Sequence, residues 1–161
     1  ISVTAGKTPV LIDPVSTAYA RQMEPIVGKF YAIKPNEMEL SILSGLPTET
    51  EPQIERACEA LLNRGVQRIA VSRGEKGCYY ADSMGNRLYR ALRPVSQMVN
   101  ATGAGDAFMA GFTHALVNRL AVEDMLDYAL ASGITAIQSM TTINPDMSDE
   151  LVRENRNRYR L

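Results

Sequence analysis

Asp106 closes a polar turn, Asn100-Ala101-Thr102-Gly103-Ala104-Gly105-Asp106, that runs into a long apolar helical pattern. The two glycines permit backbone conformations and close approaches that other residues resist. The start of the helix adds unpaired N–H groups and the positive end of its dipole. Together these make an anion site, most often one for phosphate. A carboxylate there repels the anion unless it has a task of its own. The task that fits is taking a proton from a hydroxyl as it attacks the phosphate. The chemistry expected is phosphoryl transfer to an alcohol, with Asp106 as base. The alternative is that Asp106 only complements the helix dipole.

Two further stretches carry candidate chemistry. In Lys34-Pro35-Asn36-Glu37-Met38-Glu39, Asn36 and Glu39 have the spacing of a helix capping box. At the end of a strand the same pair can help hold a metal–phosphate assembly. Ser72-Arg73-Gly74-Glu75-Lys76-Gly77 reads as a tight polar turn, or as a nucleotide-phosphate loop with Arg73 or Lys76 near the phosphates. It lacks the spacing of a Walker A loop. The single histidine, His114, lies within an apolar helical pattern, which disfavours a zinc site or a catalytic triad and suits a buried structural histidine. Cys58 and Cys78 have no metal-ligand spacing and suit reduced thiols of a cytoplasmic protein. A formal net charge of −1 argues against a nucleic-acid surface, and no apolar run reaches membrane-spanning length.

The elements that must position these residues follow from periodicity. Short apolar runs at Pro9–Ile12, Phe30–Ile33 and Arg68–Ser72 read as strands of a parallel sheet. Between them, a helix capped by Ser16 runs to about Val27 and is ended by Gly28. A second is capped by Asn36 and ends at Gly45. A third opens on the Thr50…Gln53 capping box and carries Ile54, Ala57, Cys58, Leu61 and Leu62 as its apolar stripe. Cys78–Ala81 and Arg87–Arg90 flank Asp82–Asn86 as an edge hairpin. Pro94–Val99 is extended. After the glycine turn the helix runs to about Arg119 and is apolar on both sides, so it is expected to be deeply buried. Another buried helix starts near Val122. A loop covers 141–146, and Ser148 caps a final helix whose Arg153, Arg156, Arg158 and Arg160 form a solvated face. Alternating strands and helices argue for an α/β fold with ligands beyond the carboxyl ends of the strands, where Asp13, Asn36 and Ser72 fall.

On these residues the chain resembles the ribokinase-like, or PfkB, family of carbohydrate and nucleoside kinases. Thr102-Gly103-Ala104-Gly105-Asp106 is similar to the family's C-terminal signature. Lys34-Pro35-Asn36 with Glu39 is similar to its internal metal–phosphate element, and Ser72–Gly77 to its nucleotide loop. The resemblance implies a ribokinase-like three-layer α/β/α fold with a mostly parallel central sheet, here an incomplete C-terminal portion with an edge hairpin. It implies ATP and Mg2+ as cofactors, with Asp106 as base and Gly103, Ala104 and Gly105 as the anion hole. Asn36, Ser72, Gly74, Gly77 and Thr102 would contact the nucleotide, and Glu39 and Asn36 would serve the Mg–phosphate, through water if need be. Asn100 stands where the family usually has aspartate, which puts potassium activation in doubt. Asp13-Pro14-Val15-Ser16 and Asn144-Pro145-Asp146, with Asn100, are similar to members acting on pseudouridine, a C-nucleoside. Another sugar or nucleoside acceptor, or a non-catalytic nucleotide-binding module, is the alternative. Family members are about twice as long, so residues 1–161 are expected to form the nucleotide-binding part of one kinase domain. The acceptor-binding half and lid, and a lid-mediated homodimer, would belong to the full-length protein. Small-molecule acceptors are the expected partners, with no nucleic acid and no membrane.

Overall fold

Three short apolar runs form adjacent parallel strands: β1 (Leu11–Ile12), β2 (Ala32–Ile33) and β3 (Arg68–Ser72). Leu11 pairs with Ala32 and Ile12 with Ile33, while Ala32 pairs with Arg68 and Ile33 with Ile69. β4 (Cys78–Asp82) and β5 (Arg87–Arg90) complete a five-stranded sheet in the order β1-β2-β3-β4-β5. The hairpin therefore stands at one edge, as its turn residues imply. Asp82 ties the turn by accepting the Met84 and Asn86 N–H groups on Oδ1. The other edge strand, β1, is only half-buried.

The computed structural model describes residues 8–95 and 98–159. It divides into two compact units, Ile1–Arg73 with Tyr79–Tyr89, and Gly74–Cys78 with Arg90–Leu161. In the first unit the helices α1 (Thr17–Met23), α2 (Glu37–Ser44) and α3 (Glu51–Asn63) share one core with the strands. Of the expected stripe of α3, Ile54, Ala57, Cys58 and Leu61 are buried there with Phe30, Leu40 and Ile69, and Leu62 is partly buried against them. Each large aliphatic side chain so removed from water contributes about 1.5–3 kcal/mol. The helix capped by Ser16 is shorter than its pattern suggests. It stops at Met23, and Glu24–Lys29 form a 3-10 helix with Pro25 in its first turn. Proline has no N–H to continue the α-helical ladder and clashes with the preceding turn. Gly28 consequently ends no α-helix. A Cβ at this position would lie 1.9 Å from the Arg64 carbonyl oxygen, so glycine serves a close approach of two segments.

The second unit is built on α4 (Ala104–Val117), α5 (Val122–Ile137) and α6 (Asp149–Tyr159). A Cβ on Gly111 would lie 2.3 Å from Ser132 Oγ, so the missing side chain lets α4 and α5 pack closely. Two expectations for α4 are corrected. The helix buries one face, Phe108, Gly111, Phe112 and Ala115, but exposes Asp106, Ala110, His114 and Val117 at helical spacing. Small apolar side chains lose little by facing water, so their presence on a second face does not force burial. His114 is likewise not buried. Its ring stacks on Tyr128 with centroids 4.9 Å apart.

The arginines of α6 are corrected in part. Arg153 is exposed and pairs with Asp149. Arg156 is mostly covered and pairs with Asp124. Arg160 lies outside the described residues, as do Ser96 and Gln97 of the extended run. Ser148 caps α6 by accepting the Leu151 N–H. Among the described residues, no helix is long and apolar enough to cross a membrane.

Candidate functional site

The capping box at the start of α2 forms as its spacing requires. Asn36 Oδ1 accepts the Glu39 N–H at 2.9 Å, and Glu39 Oε2 accepts the Asn36 N–H at 2.9 Å. The box stands at the end of the parallel sheet. Asn36 forms a parallel bridge with Ser72, and the Ser72 N–H donates to the Pro35 carbonyl at 2.9 Å. Asn36, Glu39 and Ser72 are thereby brought together by the ends of β2 and β3. Asn36 is exposed and Glu39 is buried. The amide oxygen of Asn36 is engaged by the helix, while its NH2 group remains a donor for an anion.

Lys34 sits behind this corner. Its ammonium is buried and lies 2.8 Å from Asp13 Oδ2, which joins the ends of β1 and β2. Asp13 also accepts the Val15 N–H, and Val15 holds φ +62, a left-handed conformation that is unusual for a β-branched residue.

The glycine turn lies on the second unit. Asn100 Oδ1 accepts the Thr102 N–H at 2.9 Å, and Asn100 Nδ2 reaches the Met140 carbonyl at 3.4 Å. Gly103 precedes α4 with φ +84, and a Cβ there would lie 2.4 Å from the Thr142 carbonyl oxygen. Glycine is therefore required twice, by conformation and by space. The Ala104 N–H donates to Ala101 O at a long 3.4 Å. Among the described residues, no acceptor outside the helix takes the N–H groups of Gly105 and Asp106. Asp106 lies in the first turn of α4, exposed, and no described side chain pairs with it. The turn thus presents open donors beside an unpaired carboxylate.

Gly74 and Gly77 bracket a 3-10 turn on the same unit. Gly74 is exposed, with open space around it. Gly77 is buried at φ +88, and a Cβ there would lie 1.9 Å from the Arg90 carbonyl oxygen. Gly77 thus serves first to bring the loop against the end of β5.

Arg73 does not stand free for phosphate. Its Nε donates to Glu37 Oε1 at 3.0 Å and a terminal nitrogen to Glu51 Oε1 at 2.9 Å, with the guanidinium over the Tyr89 ring. Burial works against its charge, but the two carboxylates outweigh that and hold its pKa above the ordinary arginine value. This clamp and the Lys34–Asp13 pair escape a reading of the sequence. Their partners lie 36, 22 and 21 residues away, and the place of Arg73 within the Ser72–Gly77 stretch points to phosphate rather than to these carboxylates. Asn144 also has a fold role: it is buried and donates to the Thr135 carbonyl.

No cluster of three acidic, histidine or cysteine residues among the described residues forms a metal cage. Glu39 is 3% exposed and already accepts a hydrogen bond. The donor set fits a magnesium ion held chiefly by phosphate oxygens and water, with Asn36 and Glu39 behind them.

Residues 2–149 match the profile of the pfkB family carbohydrate kinases. The chain is 30% identical over 145 residues to the pseudouridine kinase of Escherichia coli, covering 89% of this chain and 46% of that protein. Among solved structures it matches a Clostridium perfringens protein described as a sugar kinase at TM-score 0.90 and 29% identity. That match covers 95% of this chain and 48% of the other. It also matches Arabidopsis thaliana ribokinase complexed with ribose and ATP at TM-score 0.78 and 30% identity, covering 92% and 47%. The chain spans about half the length of these proteins.

Proposed function

Because the chain belongs to the pfkB family of carbohydrate kinases, we propose that the protein carrying it transfers the terminal phosphoryl group of ATP to a hydroxyl of a sugar or nucleoside. The observation that carries this reading is Asp106: a carboxylate in the first turn of α4 that is exposed and, among the described residues, unpaired, beside the N–H groups of Gly105 and Asp106 that no described acceptor outside the helix takes.

Asp106 takes the proton of the acceptor hydroxyl as its oxygen bonds to the γ-phosphorus, and the bond to the β-phosphate oxygen breaks to release ADP. The backbone donors of Gly103, Ala104 and Gly105 face the charge on the moving phosphoryl group. The long Ala104 hydrogen bond is readily exchanged for one to phosphate. Thr102 holds the entry to the turn, and its amide is fixed by Asn100. In the first unit Asn36, through the NH2 that the capping box does not use, and Ser72 would contact the nucleotide. In the second, Gly74 would do so from a loop whose path Gly77 sets. Asn36 and Glu39 would serve a magnesium ion bound with ATP, through water, and the ion would supply neutralisation of phosphate charge; Glu39 fixes Asn36 through the capping box. Asn100 spends its oxygen on the Thr102 N–H, a use that needs no cation.

The acceptor we favour is pseudouridine, phosphorylated at its 5′ hydroxyl. The identity with the Escherichia coli pseudouridine kinase over 145 residues supports this. So does the coincidence of Asp13-Pro14-Val15-Ser16 with Asn144-Pro145-Asp146. The test is ADP release by the full-length protein on a panel of nucleosides and sugars, with Mg–ATP binding measured by calorimetry. Turnover of pseudouridine is expected. Turnover of ribose without pseudouridine overturns the acceptor, and absence of Mg–ATP binding overturns the kinase reading.

A further inference from the structure

Arg73 separates Ser72 from Gly74, yet its side chain is committed elsewhere. The guanidinium is 8% exposed and spans two carboxylates, Glu37 at 3.0 Å and Glu51 at 2.9 Å. These are the first residues of α2 and α3. Each sits where a helix dipole favours a negative charge, so both carboxylates are suited to stay ionised against the arginine. Arg73 Cζ lies over the Tyr89 ring, 5.1 Å from its centroid, so the group is held from a third side.

The two carboxylates differ in what they carry. Glu37 follows Asn36 directly and belongs to the turn that holds the capping box with Glu39. Glu51 opens α3, which contributes none of the residues placed at the phosphates. The end of β3 meets the start of α2 through the Asn36–Ser72 bridge, the Ser72 N–H to Pro35 O, and the Arg73–Glu37 ion pair. The first two are backbone contacts that fix the strand ends. The third is a side-chain contact that acts on the helix start itself. A planar, permanently charged fork suits this place, because it holds two carboxylates at fixed angles where a lysine offers only a point charge.

We propose that Arg73, acting through Glu37, is a positioning residue for Mg–ATP: it fixes the start of α2, and with it Asn36 and Glu39, against Ser72. The proposal rests on the kinase reading above. Partners of this kind, one shell behind the groups that touch a metal assembly, set its affinity through geometry.

Two isosteric substitutions in the full-length protein separate positioning from general stability. Glu37→Gln and Glu51→Gln each remove one ion pair from the same guanidinium. Glu37→Gln should raise the KM for Mg–ATP about tenfold and raise the magnesium concentration needed for half-maximal rate, at unchanged acceptor KM. Glu51→Gln should lower the melting temperature and leave the KM for Mg–ATP at its wild-type value. Arg73→Lys should raise the KM for Mg–ATP in the same direction as Glu37→Gln, because an ammonium attracts the carboxylates as a point charge without the planar fork that fixes the start of α2. Equal effects of the two glutamine variants on the KM for Mg–ATP, or no effect of Glu37→Gln, overturn the proposal while the kinase reading stands. A wild-type protein that fails to bind Mg–ATP in calorimetry overturns both.

Discussion

Gly103→Ala should destabilise the protein by about 2–4 kcal/mol, from two separable causes. The first is conformational. Gly103 holds φ +84, and placing a Cβ on a left-handed residue costs about 1 kcal/mol. The second is steric. The added carbon would lie 2.4 Å from the Thr142 carbonyl oxygen and 3.3 Å from its Cγ2. A backbone oxygen cannot swing aside as a side chain does, so the turn or the segment around Thr142 must shift, at about 1–3 kcal/mol. Gly45 provides the control: it holds φ +72 at the end of α2, and a Cβ there would meet nothing within 4 Å. Gly45→Ala should therefore cost only the conformational part, about 1 kcal/mol. Urea unfolding followed by circular dichroism gives both values, and the difference between the variants reads the contact alone. A difference below about 0.5 kcal/mol refutes the close approach of the turn to Thr142. The same shift should carry the Gly105 and Asp106 amides off their positions. Turnover should then fall by about 10²-fold, as misplacements near 1 Å can cause.

Three further outcomes follow from buried polar groups. Asp127 is buried and takes a two-point contact from Arg90, at 2.5 and 3.0 Å, so Asp127→Asn should cost about 3–5 kcal/mol in denaturant unfolding. The Tyr79 hydroxyl is buried with no hydrogen-bond partner among the described residues, so Tyr79→Phe should leave stability unchanged or raise it by up to about 1 kcal/mol in the same assay. Burial pushes the Asp82 carboxyl up, but bonds from Asn86, Tyr80 and the Met84 amide outweigh it and hold its pKa below the ordinary value. A depressed folded pKa gives stability that is present above the unfolded value near 4 and lost as the pH falls through the folded one. The advantage of wild type over Asp82→Asn should therefore be full at neutral pH and shrink below about pH 4, as unfolding at several pH values will show.

The parts of the molecule legible in the sequence are those set by local chemistry. Asn36 and Glu39 cap α2 because each reaches a backbone N–H three residues away, whatever the rest of the chain does. Gly103 reads as a turn residue for the same reason, and the hairpin follows from Asp82 and Asn86. Long-range geometry was not legible. Nothing near Arg73 in the chain announces Glu37 and Glu51. The buried bonds of Asn144 and Asn155 to Thr135 likewise depend on how α5 and α6 come together. Periodicity also overstates burial when side chains are small. Ala110 and Val117 look like core positions of α4, yet they face outward with His114 and Asp106. Pro25 shows the converse: a strong local signal that overrides an otherwise continuous helical pattern.

The claim on which the functional account depends is that Asp106 takes a proton rather than merely serving the helix dipole. The direct measurement is turnover of full-length Asp106→Asn beside its affinity for Mg–ATP. Loss of a general base predicts a fall in kcat of about 10²-fold or more, with nucleotide affinity retained. A dipole role alone predicts a stability loss of about 0.3–1 kcal/mol and wild-type turnover, and that result would contradict the account.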